Sequence, residues 1–204
     1  AVDIVTGYTN YAYLLTPNKI YAISITVPNN PVIMDSCTIT GLGKDLFCPW
    51  RYLYVAADYY GLRVYDSYYM TEVGYYDTPG RANGVFVTND LAYVADGDAG
   101  LRIVDVTDPT NPQEIGFCDT PGHAKKLTVA GSYAFIADGD SGLCVIDISD
   151  PANPYEIIRY NTIGKATDIA VREDTIFLIS HSAGLYLYEM VTVSVKEEEV
   201  NIYL

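Results

Sequence analysis

Residues 91–130 read LAYVADGDAGLRIVDVTDPTNPQEIGFCDTPGHAKKLTVA, and residues 133–172 read YAFIADGDSGLCVIDISDPANPYEIIRYNTIGKATDIAVR. The two stretches match almost element for element. Outward from this pair, the hairpin glycines Gly61, Gly100, Gly142 and Gly184 fall 39, 42 and 42 residues apart. The short interval has a local cause: after Asp66 the chain reads SYYMTEV, where the later copies carry VTDPTNPQEI and ISDPANPYEI. A degenerate first copy keeps Tyr11, Tyr13, Ile20, Pro28, Asn30 and Pro31. A degenerate last copy keeps Gly184 and Leu185 and loses the aspartates and prolines. The copies divide the chain at about 1–41, 42–80, 81–122, 123–164 and 165–204, within one domain.

Each copy holds four short apolar or alternating runs, the pattern of strands. In the third copy these are Gly84–Thr88, Leu91–Asp96, Leu101–Val106 and Gln113–Asp119. Asp96-Gly97-Asp98 closes a hairpin, with Gly97 free to take positive φ. Asp108-Pro109-Thr110-Asn111-Pro112 stops one strand and starts the next. Thr120-Pro121-Gly122 joins one copy to its successor. No stretch sustains a 3.6-residue apolar period, so helix is not expected. Four antiparallel strands repeated every ~40–45 residues predict an all-β chain, a β-propeller of five four-stranded blades. Val2–Val5 supplies the first strand and Val193–Leu204 a fourth strand for the last blade. With no blade shared between the termini, closure is expected to rest on packing between blades 1 and 5. The alternative is a fragment of a larger propeller, with two open blade faces.

The third-strand motif reads Leu62-Arg-Val-Tyr-Asp66, Leu101-Arg-Ile-Val-Asp105 and Leu143-Cys-Val-Ile-Asp147, and degrades to Leu185-Tyr-Leu-Tyr-Glu189. With the flanking AYVADGDAGL, DPTNP and DTPG segments, it resembles the LVIVD repeat family of bacterial and archaeal secreted or cell-surface proteins. The resemblance covers essentially the whole chain, strongly in the second, third and fourth copies, and the first and fifth depart from it. It implies export, a propeller and a role in surface interaction, and carries over no enzymatic activity. Many such proteins follow the repeats with a sorting module; this chain stops at VNIYL.

Composition narrows the function classes. Half of the 204 residues are hydrophobic and 19% are charged, which excludes a disordered chain. Asp and Glu number 26 against 12 Lys and Arg, a net charge of −14, which argues against nucleic acid as a partner. No apolar run approaches the ~18 residues of a membrane helix, so no membrane insertion is expected. The opening AVDIV fits a processed, exported chain, and extracellular or cell-surface localisation is expected. Cys37, Cys48, Cys118 and Cys144 form no C-x-x-C pair and are expected as apolar thiols. No cofactor is implied.

Candidate site residues fall in loops sharing one face of a propeller. Arg81, His123 and Lys165 are spaced 42 and 42 and occupy equivalent positions between blades, with Lys44 nearby. Asp58, Asp96, Asp98, Asp138, Asp140 and His181 lie in the hairpin loops. The functional reading is an anionic or sugar ligand at the channel mouth. The plainer one pairs each cation with a loop aspartate, worth about 0–1 kcal/mol per pair. A calcium site at Asp96, Asp98, Asp138 and Asp140 is the weaker metal alternative. D-G-D-x-G fails the EF-hand spacing, because Gly100 and Gly142 stand where oxygen ligands are needed. No nucleophile, phosphate-loop or metallohydrolase motif is present, so no catalytic residue is assigned and an enzyme is not expected.

The 20 tyrosines, against 5 Phe and 1 Trp, separate into two groups. Tyr54, Tyr93, Phe135 and Phe177 share one second-strand position and are expected in the core. Tyr59, Tyr60 and Tyr68 cluster in the second copy, outside that register, and are expected at an interface. Tyr75 and Tyr76 simply alternate across a strand. The expectation is a non-enzymatic propeller that engages a protein partner or copies of itself, as a filament or surface layer. The alternative is a glycan-binding propeller using Tyr and Asp loops.

Overall fold

The computed structural model describes residues 3–7, 10–193 and 201–203. Five antiparallel sheets follow one another along the chain. Blade 1 holds β1 (Asp3–Thr6), β2 (Tyr11–Leu15), β3 (Lys19–Ser24) and β4 (Val32–Thr38). Blade 2 holds β5 (Asp45–Phe47), β6 (Tyr52–Ala56), β7 (Leu62–Asp66) and β8 (Thr71–Tyr76). Blade 3 holds β9 (Gly84–Thr88), β10 (Leu91–Ala95), β11 (Leu101–Asp105) and β12 (Gln113–Cys118). Blade 4 holds β13 (Lys126–Ala130), β14 (Tyr133–Ala137), β15 (Leu143–Asp147) and β16 (Tyr155–Tyr160). Blade 5 holds β17 (Ala166–Arg172), β18 (Thr175–Ser180) and β19 (Gly184–Glu189). There is no helix among the described residues, and the strands of the third copy match their expected bounds to within one residue.

The pleat explains the third-strand motif. Successive side chains of a strand point to opposite faces. Leu62 and Val64 therefore face blade 3, and Tyr65 faces blade 1. Leu101 and Ile103, then Leu143 and Val145, repeat the arrangement one junction further on. The middle strands are apolar on both sides because both faces are covered. Tyr54, Tyr93 and Phe135 pack in these junction cores, as their shared register implies. A bulge interrupts the third-to-fourth strand pairing at the same point in blades 1 to 4.

Two features differ from the sequence expectation. Among the described residues the last blade has three strands, not four. The expected Val193–Leu204 strand lies partly outside the described residues, and its described ends belong instead to β20 (Val191–Val193) and β21 (Asn201–Tyr203), which pair with each other. The physical reason is the joint loss of two turn devices: the Pro-Asn turn of blades 1, 3 and 4, and the strand-end aspartate that caps the short turn of blade 2, where Asp66 takes the Tyr68 and Tyr69 amides and blade 5 has Glu189. With neither, the chain is not reversed against β19 among the described residues, and Val191–Val193 pairs with Asn201–Tyr203 instead.

The second difference lies at the ring's ends. A core cluster fills each junction from blade 1 to blade 5, but none joins blade 5 to blade 1 among the described residues. Leu185 and Leu187 of β19 are 58% and 61% exposed, whereas their equivalents Leu101, Ile103, Leu143 and Val145 are 0% exposed. Among the described residues, the packed core expected between the end blades is not formed.

Candidate functional site

The inter-blade linkers and hairpin loops meet at one end of the blades, and hydrogen bonds explain their motifs. Asp96, the first aspartate of its loop, is buried. Its Oδ1 accepts from Thr78 Oγ1 at 2.5 Å and its Oδ2 from the Gly80 amide at 2.7 Å. Asp138 repeats this with Thr120 Oγ1 at 2.7 Å and the Gly122 amide at 2.9 Å. Thr-Pro-Gly of one linker is thus clasped by the Asp-Gly-Asp loop of the following blade. Burial pushes both carboxyls above the usual range, partly offset by these donors.

The cations expected to form a ring are each held by a carboxylate. Arg81 Nε lies 2.7 Å from Asp58 Oδ1, His123 Nδ1 2.6 Å from Asp98 Oδ1, and Lys165 Nζ 3.1 Å from Asp140 Oδ2. Lys44 Nζ joins Asp58 at 3.5 Å. Hydrogen bonds from Arg81 hold Asp58 below the usual carboxylate range, and His123 does the same for Asp98. His181 donates its backbone amide to the Lys165 carbonyl at 2.9 Å. The four aspartates weighed for calcium do not converge: two clasp linkers and two pair with cations. No group of three His, Cys, Asp or Glu side chains able to hold a metal occurs among the described residues.

Beneath the mouth lies a second charged group, carried by the inner strands rather than the loops. Strands β1, β5, β9, β13 and β17 together line a central cavity of about 270 Å³. Asp3, Asp45, Gly84, Lys126 and Asp168 occupy equivalent positions in these strands, 42, 39, 42 and 42 residues apart. Lys126 forms an ion pair with the buried Asp45. Asp45 Oδ2 also accepts from the Val85 amide at 2.8 Å, and Asp3 Oδ2 from the Leu46 amide at 3.1 Å. Burial raises Asp45 to about 6 despite the opposing field of Lys126. Burial disfavours charge on Lys126, but Asp45 outweighs it and raises the ammonium. Lys125, next to it, carries no ion pair among the described residues. Burial and then the charges of Arg81, Lys165 and Lys44 lower it. The shared spacing of five inner-strand positions is the signal that finds this group.

The tyrosine cluster of blade 2 is split by the antiparallel topology. Tyr59 and Tyr60 sit in the β6–β7 loop at the channel mouth, and Tyr68 sits in the β7–β8 loop at the other end. Arg81 lies 4.6 Å from the centre of the Tyr59 ring. Arg63 lies 5.6 Å from Tyr60 and 4.5 Å from Tyr75. Tyr68 is 79% exposed and contacts Tyr69 edge-on at 4.9 Å. Tyr75 is exposed while Tyr76 packs against the blade 2–3 core. All four cysteines are free thiols.

The LVIVD repeat family matches residues 79–120 and 121–162, two consecutive repeats. No curated protein matches the sequence. Among solved structures, the computationally designed Ika8 protein superposes with a TM-score of 0.74 at 9% identity, over 91% of this chain and 57% of that one. A functionally unknown protein from Desulfotomaculum acetoxidans gives 0.73 at 12% identity, over 93% and 65%. A chain of the mitotic checkpoint complex gives 0.75 at 7% identity, over 89% and 59%. The chain therefore spans between 57% and 65% of these three structures. Likeness at such identities carries the fold and nothing more.

Proposed function

We propose that this LVIVD-repeat propeller is a non-enzymatic interaction module that works outside the cell and assembles end to end with copies of itself. The observation that carries the reading is the open face of blade 5. Phe177, Ile179, Leu185 and Leu187 stand at the positions that blades 2 to 4 use to pack against their successors. Blade 1 offers the matching receiver. Ile4 pairs with Leu14 and Ala12 with Ile23, as Val85 pairs with Val94 and Ala92 with Val104 in blade 3. Ile4 is 59% exposed, whereas Val85 is 3% exposed. One copy's blade 5 meeting another's blade 1 is a heterologous contact, which generates open chains or rings. Burying each exposed leucine contributes about 1.5–3 kcal/mol. Export rests on the resemblance to the repeat family. A glycan site at the channel mouth has less support, because the loop aspartates there are paired and the Tyr59 ring is covered by Arg81.

Sedimentation and light scattering over a concentration series test the proposal. The wild-type chain should form larger species as concentration rises, and Leu185→Glu with Leu187→Glu should remain a single copy. A wild-type chain that stays monodisperse at high concentration overturns it.

A further inference from the structure

The junction between blades 1 and 2 is built differently from the next two, at the end of the blades opposite the channel mouth. At those next two junctions the Asp-Pro loop of one blade rests on a fourth-strand glycine of the blade before. A Cβ on Gly74 would collide with the carbonyl oxygen of Pro109, and one on Gly116 with that of Pro151. Gly74 pairs with Val64, and Gly116 with Ile103, just before the bulge. In blade 1 the residue at that register, paired with Ala22, is Asp35. Blade 2 has also lost its prolines, and the loop facing Asp35 is the short Ser67–Met70 turn. Both halves of the contact are thus replaced together.

What remains is a cleft of about 500 Å³ lined by Tyr11, Tyr13 and Tyr68 together with Asp35, Ser67 and two methionines. Tyr13 and Met70 are buried at its floor, and Tyr68 stands exposed at its rim. The two neighbouring junctions have grooves of comparable volume, but these follow the edge strand and the Pro-Asn loop and gather no three tyrosines. No Lys, Arg or His lines the cleft among the described residues. Asp66, at the base of the short turn, is engaged by Arg51 at 2.6 Å and by the amides of Tyr68 and Tyr69. Asp35 is different: Oδ1 accepts from the Ser36 amide at 2.7 Å, and neither oxygen has a cationic partner among the described residues.

We infer that this cleft binds an organic ammonium group, free or carried on a side chain. Aromatic rings attract a cation through the negative potential of their faces, and a desolvated site strengthens that attraction. An uncompensated carboxylate adds the counter-charge, and thioethers supply polarisable surface that tolerates different alkyl groups. A neutral sugar suits the lining less well. It needs several free donors and acceptors around it, yet no Asn, Gln or Arg side chain lines the cleft among the described residues. The inference is independent of end-to-end assembly, since the cleft opens where blade 1 meets blade 2, whereas assembly uses the other face of blade 1, at Ile4 and Ala12.

Titration of the folded chain with tetramethylammonium chloride, followed by amide NMR shifts of Ser67–Met70, tests it. Sodium chloride at equal ionic strength and methyl glucoside are run alongside. The expected result is saturable shifts with tetramethylammonium alone. Asp35→Asn and Tyr68→Ala should each weaken binding by roughly two- to tenfold, and Tyr59→Ala should leave it unchanged. Both weakening positions are surface residues, so folding is retained and can be checked by thermal melts. Shifts that sodium chloride reproduces, binding indifferent to Asp35→Asn, or saturable binding of methyl glucoside instead would each overturn the inference.

Discussion

Lys126 of blade 4 pairs its ammonium with the buried carboxylate of Asp45 in blade 2, past the side-chain-free position of Gly84 in blade 3. Asp45 also takes the Val85 amide, so one carboxylate of blade 2 links three blades. Losing one partner of a buried pair costs more than the pair itself contributes, because the remaining charge is stranded. Lys126→Met therefore destabilises the chain by about 2–4 kcal/mol. Double replacement with Asp45→Leu should recover much of that loss. Urea denaturation of the two variants checks it, and equal stability of single and double variants would count against the axial role.

The same carboxyl sets a pH dependence. Its folded value, about 6, lies above the unfolded value near 3.8. The folded state then binds a proton more tightly than the unfolded state between those limits. The contribution is fully present below about pH 4 and is lost as pH rises through about 6, an effect on the order of 2–3 kcal/mol. The carboxyl carbon shift of Asp45 should titrate near pH 6. Because Lys126 pulls the value down, Lys126→Met should move the midpoint higher. A midpoint near 4 in the wild type would sink this reading.

The clasp between linker and hairpin gives a repeated test. Thr78→Val and Thr120→Val keep shape and remove the hydroxyl donor to Asp96 or Asp138. Each leaves a buried carboxylate short of one hydrogen bond, a loss of about 1–3 kcal/mol. The two sites share no partner, so the losses should add within about 0.5 kcal/mol. Melting curves of both single variants and the double variant measure this. A change within noise at either site would show that the hydroxyl is dispensable there.

These relationships bear on how far the sequence could be read. The third-strand register was legible because Leu62, Leu101 and Leu143 recur in one residue type at one spacing. The clasps were half legible: Thr-Pro-Gly and Asp-Gly-Asp stood out as turns, but their contact crosses from one blade to the next. The axial pair was missed because its position holds Asp, Asp, Gly, Lys and Asp in turn, so no motif repeats although the spacing does. Tyr59 and Tyr68 look neighbourly in sequence, yet a strand separates their loops to opposite ends of blade 2. The cleft at Asp35 needed two distant departures from the repeat, one in blade 1 and one in blade 2, to be superposed. Chain reversal after Glu189 failed for want of both a proline turn and the strand-end aspartate that serves blade 2, losses visible in the residues although their outcome was not.

The thiols offer a further check on packing. Burial raises Cys37 and Cys48 to about 11, and raises Cys144 further still. The thiolate is the reactive form, so all four cysteines, whose sulfurs are free, should react slowly at neutral pH. Cys144, wholly buried in the blade 3–4 core, should be inert until the chain unfolds. Thiol-reagent kinetics in native buffer and in denaturant distinguish the two states. Rapid native labelling of Cys144 would contradict its place in that core.

Position within the arc should decide what one motif residue is worth. Leu143 and Leu185 are the same residue of the repeat, one junction apart. The first is sealed between blades 4 and 5, and the second faces outward from blade 5. Leu143→Ala should cost about 2–5 kcal/mol, from lost transfer energy and the cavity left behind. Leu185→Ala should change the stability of the dilute, unassembled chain by no more than about 0.5 kcal/mol. At concentrations where copies associate, the order should narrow, because burial of Leu185 then contributes by mass action. Denaturation of both variants at low and high protein concentration makes the comparison. If Leu185→Ala is as costly as Leu143→Ala in the dilute chain, the blade 5 face is covered within a single copy and end-to-end assembly loses its surface.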